Sequence, residues 1–446
     1  MGKRSKKSKT ATLYDSDDDD SQSSSSTAMS ELTIAQGPYT EETDGSNDNL
    51  DACLDALYEK RGTTRENALS TIVDSFRMKL QHQFVANKCI TLLHQCLNSF
   101  KKGSTKEIHL ASLAIGLLSV TAGCEDGKAQ EILEESFAPL SSALKSGTDS
   151  LKISSILDCL AMLTFIGGVN EEETERSMQI IWQFIKPKLG PNNVVASKPT
   201  PAIMTAAISA WAFLLSTMNE FKLNSKDWQE SISHFSTLLE KDDRALRMAA
   251  GEAIALIFEI GQLVKFRNDE TNSGDEINKP TEGYIQIQGL RGKITNQVRD
   301  LSTEAGGKGS AKKDLNSQRN LFRDVLEFFE DGYPPEISFK VGGDTLSVSS
   351  WSKVIQLNFC RRFLAGGFAK HMQDNEVLHA VFGFTPKGKN QSGSNQEPLT
   401  EDQKKLMKIQ NSFVSKARTQ FLNKQRVLSQ GKKGGHFSVG PMDEEA

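Results

Sequence analysis

Between Gln403 and Gly435 stand Lys404, Lys405, Lys408, Lys416, Arg418, Lys424, Arg426, Lys432 and Lys433, with no Asp or Glu among them. Side chains of this kind neutralise phosphates and release condensed counterions, so they bind polyanions with little regard to sequence. The chain as a whole is slightly acidic, net −4 over 446 residues, which makes the basic block a local departure from the background. Its spacing is helical. Thr400 and Gln403 stand at capping-box distance, Glu401 and Asp402 fall where the helix dipole favours negative charge, and Gly431 marks a stop. At roughly 100° per residue, Leu406, Ile409, Phe413, Ala417, Phe421 and Leu428 gather on one side. Lys404, Lys405, Lys408, Lys416, Arg418 and Arg426 spread over the other, and Lys424 intrudes on the apolar side. A basic amphipathic helix over residues 401–430 is therefore expected. Such a helix either packs its stripe onto its own domain or contacts nucleic acid, and the missing acids favour contact, because surface helices usually mix signs. Phe413 and Phe421, on the apolar stripe, suit packing against protein better than stacking on bases.

A second basic cluster comprises Lys312, Lys313, Arg319 and Arg323. Arg319 and Arg323 lie one helical turn apart and can both reach phosphate. Asp324 and Glu327 sit among them, however, and Phe322, Val325, Leu326 and Phe329 form a core stripe. A structural role in joining two domains fits this cluster as well as a binding role does.

Catalysis is not expected. The sequence holds no P-loop, GxSxG or HExxH motif and no paired carboxylates on loops around strands, so no catalytic residue is proposed. His371 and His379 flank Asp374 in a helical pattern, which suits surface or core positions better than a metal site. No cofactor, metal or small-molecule substrate is expected. The six cysteines, Cys53, Cys89, Cys96, Cys124, Cys159 and Cys360, lie in apolar stretches without CxxC spacing and read as buried thiols of a reducing compartment. The basic start, Lys3 to Lys9, has no apolar stretch behind it, so a signal peptide is not expected, nor is a membrane span. The cytoplasm and nucleus are the expected locations, and Lys3 to Lys9 also fits an import signal.

Several elements must present these side chains. Residues 1–48 combine basic, acidic and serine-rich runs and read as a disordered tail, where Ser16 and Ser21 flank the acids as candidate phosphorylation sites. Residues 49–266 are a succession of helical patterns. Four apolar segments, Ile108–Gly123, Ile153–Gly168, Ile203–Met218 and Leu246–Gly261, start 45, 50 and 43 residues apart. That is close to the armadillo and HEAT period, in which each unit supplies a buried inner helix against which its neighbours stack. Outer helices such as Glu171–Lys186 and Asp227–Leu239 stay amphipathic, and Trp182, Trp211 and Trp228 read as core. An acidic linker covers 267–283. A C-terminal domain spans 284–384, with a helix over Ser310–Asp331 and a β-hairpin in which Ile337, Phe339 and Val341 alternate. The hairpin turns at Gly342-Gly343-Asp344 and returns through Leu346 and Val348, before helices over Trp351–Met372 and Asn375–Phe382. A tether at 385–400, the basic helix at 401–430 and a tail at 431–446 complete the chain. The fold class is all-α, an armadillo/HEAT-like solenoid with a small C-terminal α+β region and a terminal basic helix.

The segment KKDLNSQRNLFRDVLEFFEDG, with Gln318, Arg319, Phe322, Arg323, Asp324 and Val325, is followed by the hairpin, Trp351 and NEVLHAVFGF. In that order it resembles the C-terminal conserved block of the interferon-related developmental regulator family. FVSKARTQFLNKQR, with Lys416, Ala417, Arg418 and Thr419, looks like the family's basic tail, and residues 49–266 are similar to its larger N-terminal block. The resemblance implies an armadillo-like protein without catalytic activity. It also implies one of two roles: a ribosome-binding factor that contacts rRNA and ribosomal proteins and holds ribosomes idle, or a transcriptional co-regulator in differentiation and stress programmes. In the first role the family's C-terminal helix lies in the path of mRNA and tRNA, and the element that corresponds here is the helix from Glu401 to Leu428.

Overall fold

Ser104, Asp149, Thr200 and Asp243 each accept, through the side chain, a hydrogen bond from the backbone N–H three residues on. Each thereby satisfies one orphan donor at the start of one of the four apolar runs. In the computed structural model, which describes residues 45–123, 127–146, 149–187, 199–218, 225–261, 282–305 and 312–386, these caps open the second helix of successive helical hairpins. The hairpins are α1 (Gly45–Ala56) with α2 (Gly62–Met78), α3 (His82–Lys102) with α4 (Thr105–Ala122), and α5 (Lys128–Lys145) with α6 (Ser150–Gly167). They continue with α7 (Glu171–Ile185) and α8 (Pro201–Leu215), α9 (Ser225–Leu238) and α10 (Arg244–Ile260), and α11 (Glu282–Thr303) and α12 (Lys312–Asp331). The even-numbered helices pack on one another in chain order, and each odd-numbered helix packs on its own partner.

This is a helical-repeat solenoid, and burial explains its sequence pattern. Helices α4, α6, α8 and α10 have a repeat on either side, so Leu117, Leu118, Leu160, Ile208 and Ile254 are fully buried and little polar surface survives on them. Each such side chain contributes about 1.5–3 kcal/mol of burial. Helix α6 is long and apolar enough to pass for a membrane span, contrary to the reading that no segment approaches one; its apolar faces are occupied by α4, α5 and α8. The tryptophans fall where expected: Trp211 and Trp228 are buried, and half-buried Trp182 lies 5.2 Å from Trp211 and 5.8 Å from Phe235, ring centre to ring centre. Cys89, Cys96, Cys159 and Cys360 are buried and Cys53 is half-buried. Cys124 lies outside the described residues.

The repeats extend further than the sequence pattern suggests. Helix α12, read as part of a separate domain at 284–384, is the inner helix of a sixth repeat and packs on α10, with Phe322 seated against Gly251. The N-terminal boundary also shifts, since α1 begins at Gly45, inside the segment read as a tail over 1–48.

After α12 the chain forms the expected hairpin, β1 (Ile337–Val341) and β2 (Asp344–Val348), antiparallel with Val341 opposite Asp344 across Gly342-Gly343. Gly342 takes a positive φ of 59°, which glycine adopts without steric cost. The single helix expected over 351–372 is broken. Helix α13 (Trp351–Leu364) ends in a 3-10 turn at Ala365–Gly367, followed by α14 (Phe368–Asp374) and α15 (Glu376–Phe382). The break brings Gly367 against the carbonyl of Arg77, a position that a side chain would occupy with a clash. The chain divides into two compact units after Pro386, and every described residue belongs to the first.

Candidate polyanion interface and the strap that leads to it

The C-terminal basic residues Lys404, Lys405, Lys408, Lys416, Arg418, Lys424, Arg426, Lys432 and Lys433 lie outside the described residues. So do most of the acidic linker and the tether, and Lys3 to Lys9, Ser16 and Ser21. What is described is the segment that leads to the basic block. Residues 332–386 run back across the repeats as a strap, from α10 and α8 at its start to α4 and α2 near its end.

The strap fastens to helix C-termini, where the last carbonyls have no intrahelical partner. Gln356 on α13 donates to the carbonyl (3.2 Å) and hydroxyl (3.0 Å) of Ser216, the C-cap of α8. Asn375 donates to the carbonyl of Val120 at the end of α4 (3.0 Å), and its amide oxygen caps α15 by accepting from Val377 N and Leu378 N. His371 Nε2 donates to the carbonyl of Phe76 at the end of α2 (2.9 Å). Glu259, near the end of α10, accepts instead: its carboxylate takes the backbone N–H of Trp351 (2.7 Å) and of Ser352 (2.8 Å), and the Ser352 hydroxyl (2.8 Å). A carboxylate at the N-terminus of α13 is also favoured by the helix dipole. Aromatic packing accompanies these bonds, with Phe359 stacked on Phe213 at 3.9 Å and Phe363 against Gly116.

Midway along the strap a cleft of about 150 Å³ opens, with Glu252, Asn358 and Arg362 set among apolar side chains such as Ala212, Ile355 and Phe359. Arg362 donates to Asp158 on α6 at 2.8 Å. Burial pushes the Asp158 carboxyl up to about 6, against the opposing charge and hydrogen bond of Arg362. Burial likewise pushes Glu252 up to about 7, and the charge of Arg362 and a hydrogen bond from Asn358 offset only part of that. One guanidinium of the strap thus acts on two carboxyls, on Asp158 by a hydrogen bond and on Glu252 through its charge. The sequence alone does not single them out, although each leaves a signal, an acid set in the middle of an apolar run of an inner helix.

The second predicted cluster divides. Arg319 Nε and Nη2 donate to the carbonyl of Glu304 just beyond α11, at 2.9 and 2.6 Å, so this guanidinium serves the fold. Its neighbour Gln318, fully buried, accepts from Arg244 (3.1 Å) and Arg247 (2.9 Å) and donates to Glu304 (2.5 Å) and to the carbonyl of Leu301 (3.3 Å). The Gln-Arg pair therefore ties α10, α11 and α12 together. Lys312, Lys313 and Arg323 are exposed; Arg323 donates to Asn320 at 3.2 Å. Asp324, beside it, has its carboxyl raised to about 6 by burial and by Glu327, with Arg323 opposing.

His371 and His379 are structural, as their spacing suggested: His379 Nε2 donates to the carbonyl of Met372 at 2.8 Å. Burial holds His371 below the usual imidazole range, in the neutral form. No cluster of three or more metal-ligating side chains occurs among the described residues. Burial raises the Cys96 and Cys360 thiols to about 12, far from thiolate chemistry at neutral pH.

The sequence matches the family described as interferon-related developmental regulator over residues 18–330, and the interferon-related protein conserved region over residues 375–430. The first match ends one residue short of the end of α12, where the sixth repeat closes. The second begins at Asn375 and ends at residue 430, short of Lys432 and Lys433, so the end of the strap and the predicted basic helix share one family region. Among curated relatives, the chain is 26% identical over 362 residues to interferon-related developmental regulator 1 of Sus scrofa, covering 78% of this chain and 75% of that protein. It is 28% identical over 348 residues to interferon-related developmental regulator 2 of Mus musculus, covering 76% and 73%. With a family match that spans more than half its length, this chain belongs to the interferon-related developmental regulator family.

Proposed function

We propose that this chain is a non-enzymatic regulator that binds ribosomes and holds them translationally inactive by laying the basic helix 401–430 in the mRNA and tRNA path. The observation that carries this reading is the acid-free run of Lys and Arg from Lys404 to Lys433, within or next to the family region that starts at Asn375. The strap supports it from the other side. Phe382 and Phe384, at the end of the strap, are buried, with Phe382 against Phe368 and Phe384 beside His379. A body that docks first raises the local concentration of the helix at its target, so modest phosphate contacts suffice. The buried, hydrogen-bonded histidines and buried thiols of the body suit a binding scaffold rather than a catalyst.

Co-sedimentation with purified ribosomes tests the reading. Full-length protein should pellet with ribosomes, and truncation after Asn390 should release it while leaving the far-ultraviolet spectrum of the repeats unchanged. Added salt should weaken the complex with a log–log slope of roughly 0.7–0.9 per phosphate neutralised. The name shared by the relatives, developmental regulator, favours a second reading: a nuclear co-regulator whose solenoid bridges transcription proteins. If neither form sediments at any salt, that reading takes precedence.

A further inference from the structure

All inner helices run in the same direction, so the turns joining each outer helix to its inner partner fall along one edge of the solenoid. Contacts between neighbouring turns confirm the alignment: Arg65 at the start of α2 grips Glu107 at the start of α4 with two bonds of 2.8 Å. Ser150 at the start of α6 meets Thr200, the cap of α8, at 2.9 Å. The first three of these turns, residues 59–66, 101–107 and 145–152, hold eight basic residues against four acidic ones.

Three of the four acids are engaged internally, and Glu59 stays exposed next to Lys60. Glu107 is 2% exposed and binds Arg65 and Ser99, while Glu66 takes Ser104 and Lys106. Asp149 caps α6. Lys60, Arg61, Lys101, Lys102 and Lys145 remain exposed, with none of the ion pairs found among the described residues on any of them. In the fourth turn Lys186 pairs with Glu230 at 2.6 Å, while Lys188 and Lys198 lie outside the described residues; in the fifth Lys241 stands among Glu240, Asp242 and Asp243, and there the edge loses this character. Helix dipoles favour cations where outer helices end, which accounts for lysines at these turns but not for the lack of acids opposite them. Nor does the strap cover them, since it fastens to the other ends of the inner helices, at Phe76, Val120 and Ser216.

We propose that this edge of the first three repeats, with Lys60, Arg61, Lys101, Lys102 and Lys145, is a docking strip for the phosphate backbone of structured RNA, separate from the C-terminal block. The proposal rests on the RNA-binding half of the ribosome reading and not on the helix. Packed helices lie about 8–10 Å apart, so the strip offers a cluster of cations at each step along a backbone. An acidic protein is a poorer fit, because protein interfaces are built around an apolar centre, and among the described residues the large apolar side chains exposed at these turns are two, Tyr58 just before the first and Leu151 in the third.

Four full-length proteins test it: the parent, a strip variant (K60Q, R61Q, K101Q, K102Q, K145Q), a variant with the nine C-terminal cations changed to Gln, and the combination. Affinity for a mixed-sequence RNA duplex is measured between about 50 and 200 mM salt, alongside ribosome pelleting. The strip changes should weaken duplex binding at least about tenfold and reduce the salt slope by roughly 3 to 4, in both the parent and the C-terminal background. Unchanged affinity and slope would overturn the proposal. So would a loss confined to proteins with an intact C-terminal block, or a loss of ribosome pelleting with duplex binding intact, which would mark the partner as protein. If no form pellets with ribosomes yet the duplex slope falls, the strip stands and the ribosome reading fails. A Lys→Arg set (K60R, K101R, K102R, K145R) that retains affinity excludes a folding artefact.

Discussion

The stack of inner helices and the strap that crosses it are both buried, but they are held by different chemistry. Between α4, α6, α8 and α10 the contacts are chiefly Ala, Ile and Leu, repeated from unit to unit, with the polar pairs His109–Ser155 and Ser150–Thr200 as additions. Between the strap and the stack the decisive contacts are single polar groups aimed at helix ends: Gln356 at Ser216, Asn375 at Val120, His371 at Phe76 and Glu259 at the start of α13. Apolar stacking stabilises without fixing register, whereas a donor aimed at one orphan carbonyl fixes it. The repeats supply stability, and the strap's position is set by a few bonds that would be costly to leave unmade.

The largest effect should come from the stack. Leu160 at the centre of α6 is fully buried, and Leu160→Ala should cost about 2–5 kcal/mol. The loss should appear in chemical denaturation as a fall in the stability of neighbouring repeats together with the strap, since each repeat leans on the next. Gly367→Ala sharpens the contrast. Its Cβ would collide with the backbone carbonyl of Arg77, which cannot move aside as a side chain can. A cost of about 1–3 kcal/mol is expected, and native-state hydrogen exchange should localise it, with amides of α13 to α15 exchanging faster while those of α6 keep their protection. Equal acceleration in α6 would show that strap and stack open as one unit and that the distinction does not hold.

The same contrast explains what could be read from the sequence. Helices α4, α6 and α8 are legible because a repeat on either side makes them apolar almost all round, and α10 because its run of Ala, Ile and Leu is dense despite Arg244, Arg247, Glu252 and Glu259. An inner helix at an end of the stack lacks one neighbour and turns amphipathic, so α2 and α12 looked like ordinary helices, and α12 was assigned to the wrong neighbourhood. The hairpin was legible from alternation and Gly342-Gly343. The break at Ala365–Gly367 was not, because its cause is a close approach to Arg77, far away in sequence. In the second basic cluster, alternation of charge and apolar stripe left a structural and a binding role equally open, and the carbonyl that engages Arg319 lies in the turn after α11. Asp158 and Glu252 went unremarked for a related reason: an acid in an apolar helix signals a partner, but nothing local says that the partner is Arg362 on the strap.

That shared guanidinium yields the smallest and most discriminating prediction. Glu252 titrates near 7 in the fold against about 4.5 in the unfolded chain, so its ionised form is disfavoured where it sits. A carboxyl raised in this way adds relative stability as pH falls from 7 towards 4.5 and subtracts it as pH rises. Asp158 acts in the same direction, between about 6 and 3.8. His371 opposes both: held neutral by burial, it contributes fully above 6.5 and loses that contribution as pH drops below 6.5 towards its lower folded value. Glu252→Gln removes one of these contributions and leaves the shape nearly unchanged. At pH 8 the variant should be more stable than the parent by about 1 kcal/mol or less, allowing for solvent screening, and the two should converge near pH 4.5, where the parent's carboxyl is protonated. Unfolding midpoints across that range decide the matter. A variant less stable than its parent at pH 8 would mean that Arg362 and Asn358 hold the ionised carboxylate more strongly than burial repels it. The cleft would then be a further fastening point of the strap rather than a site where burial works against it.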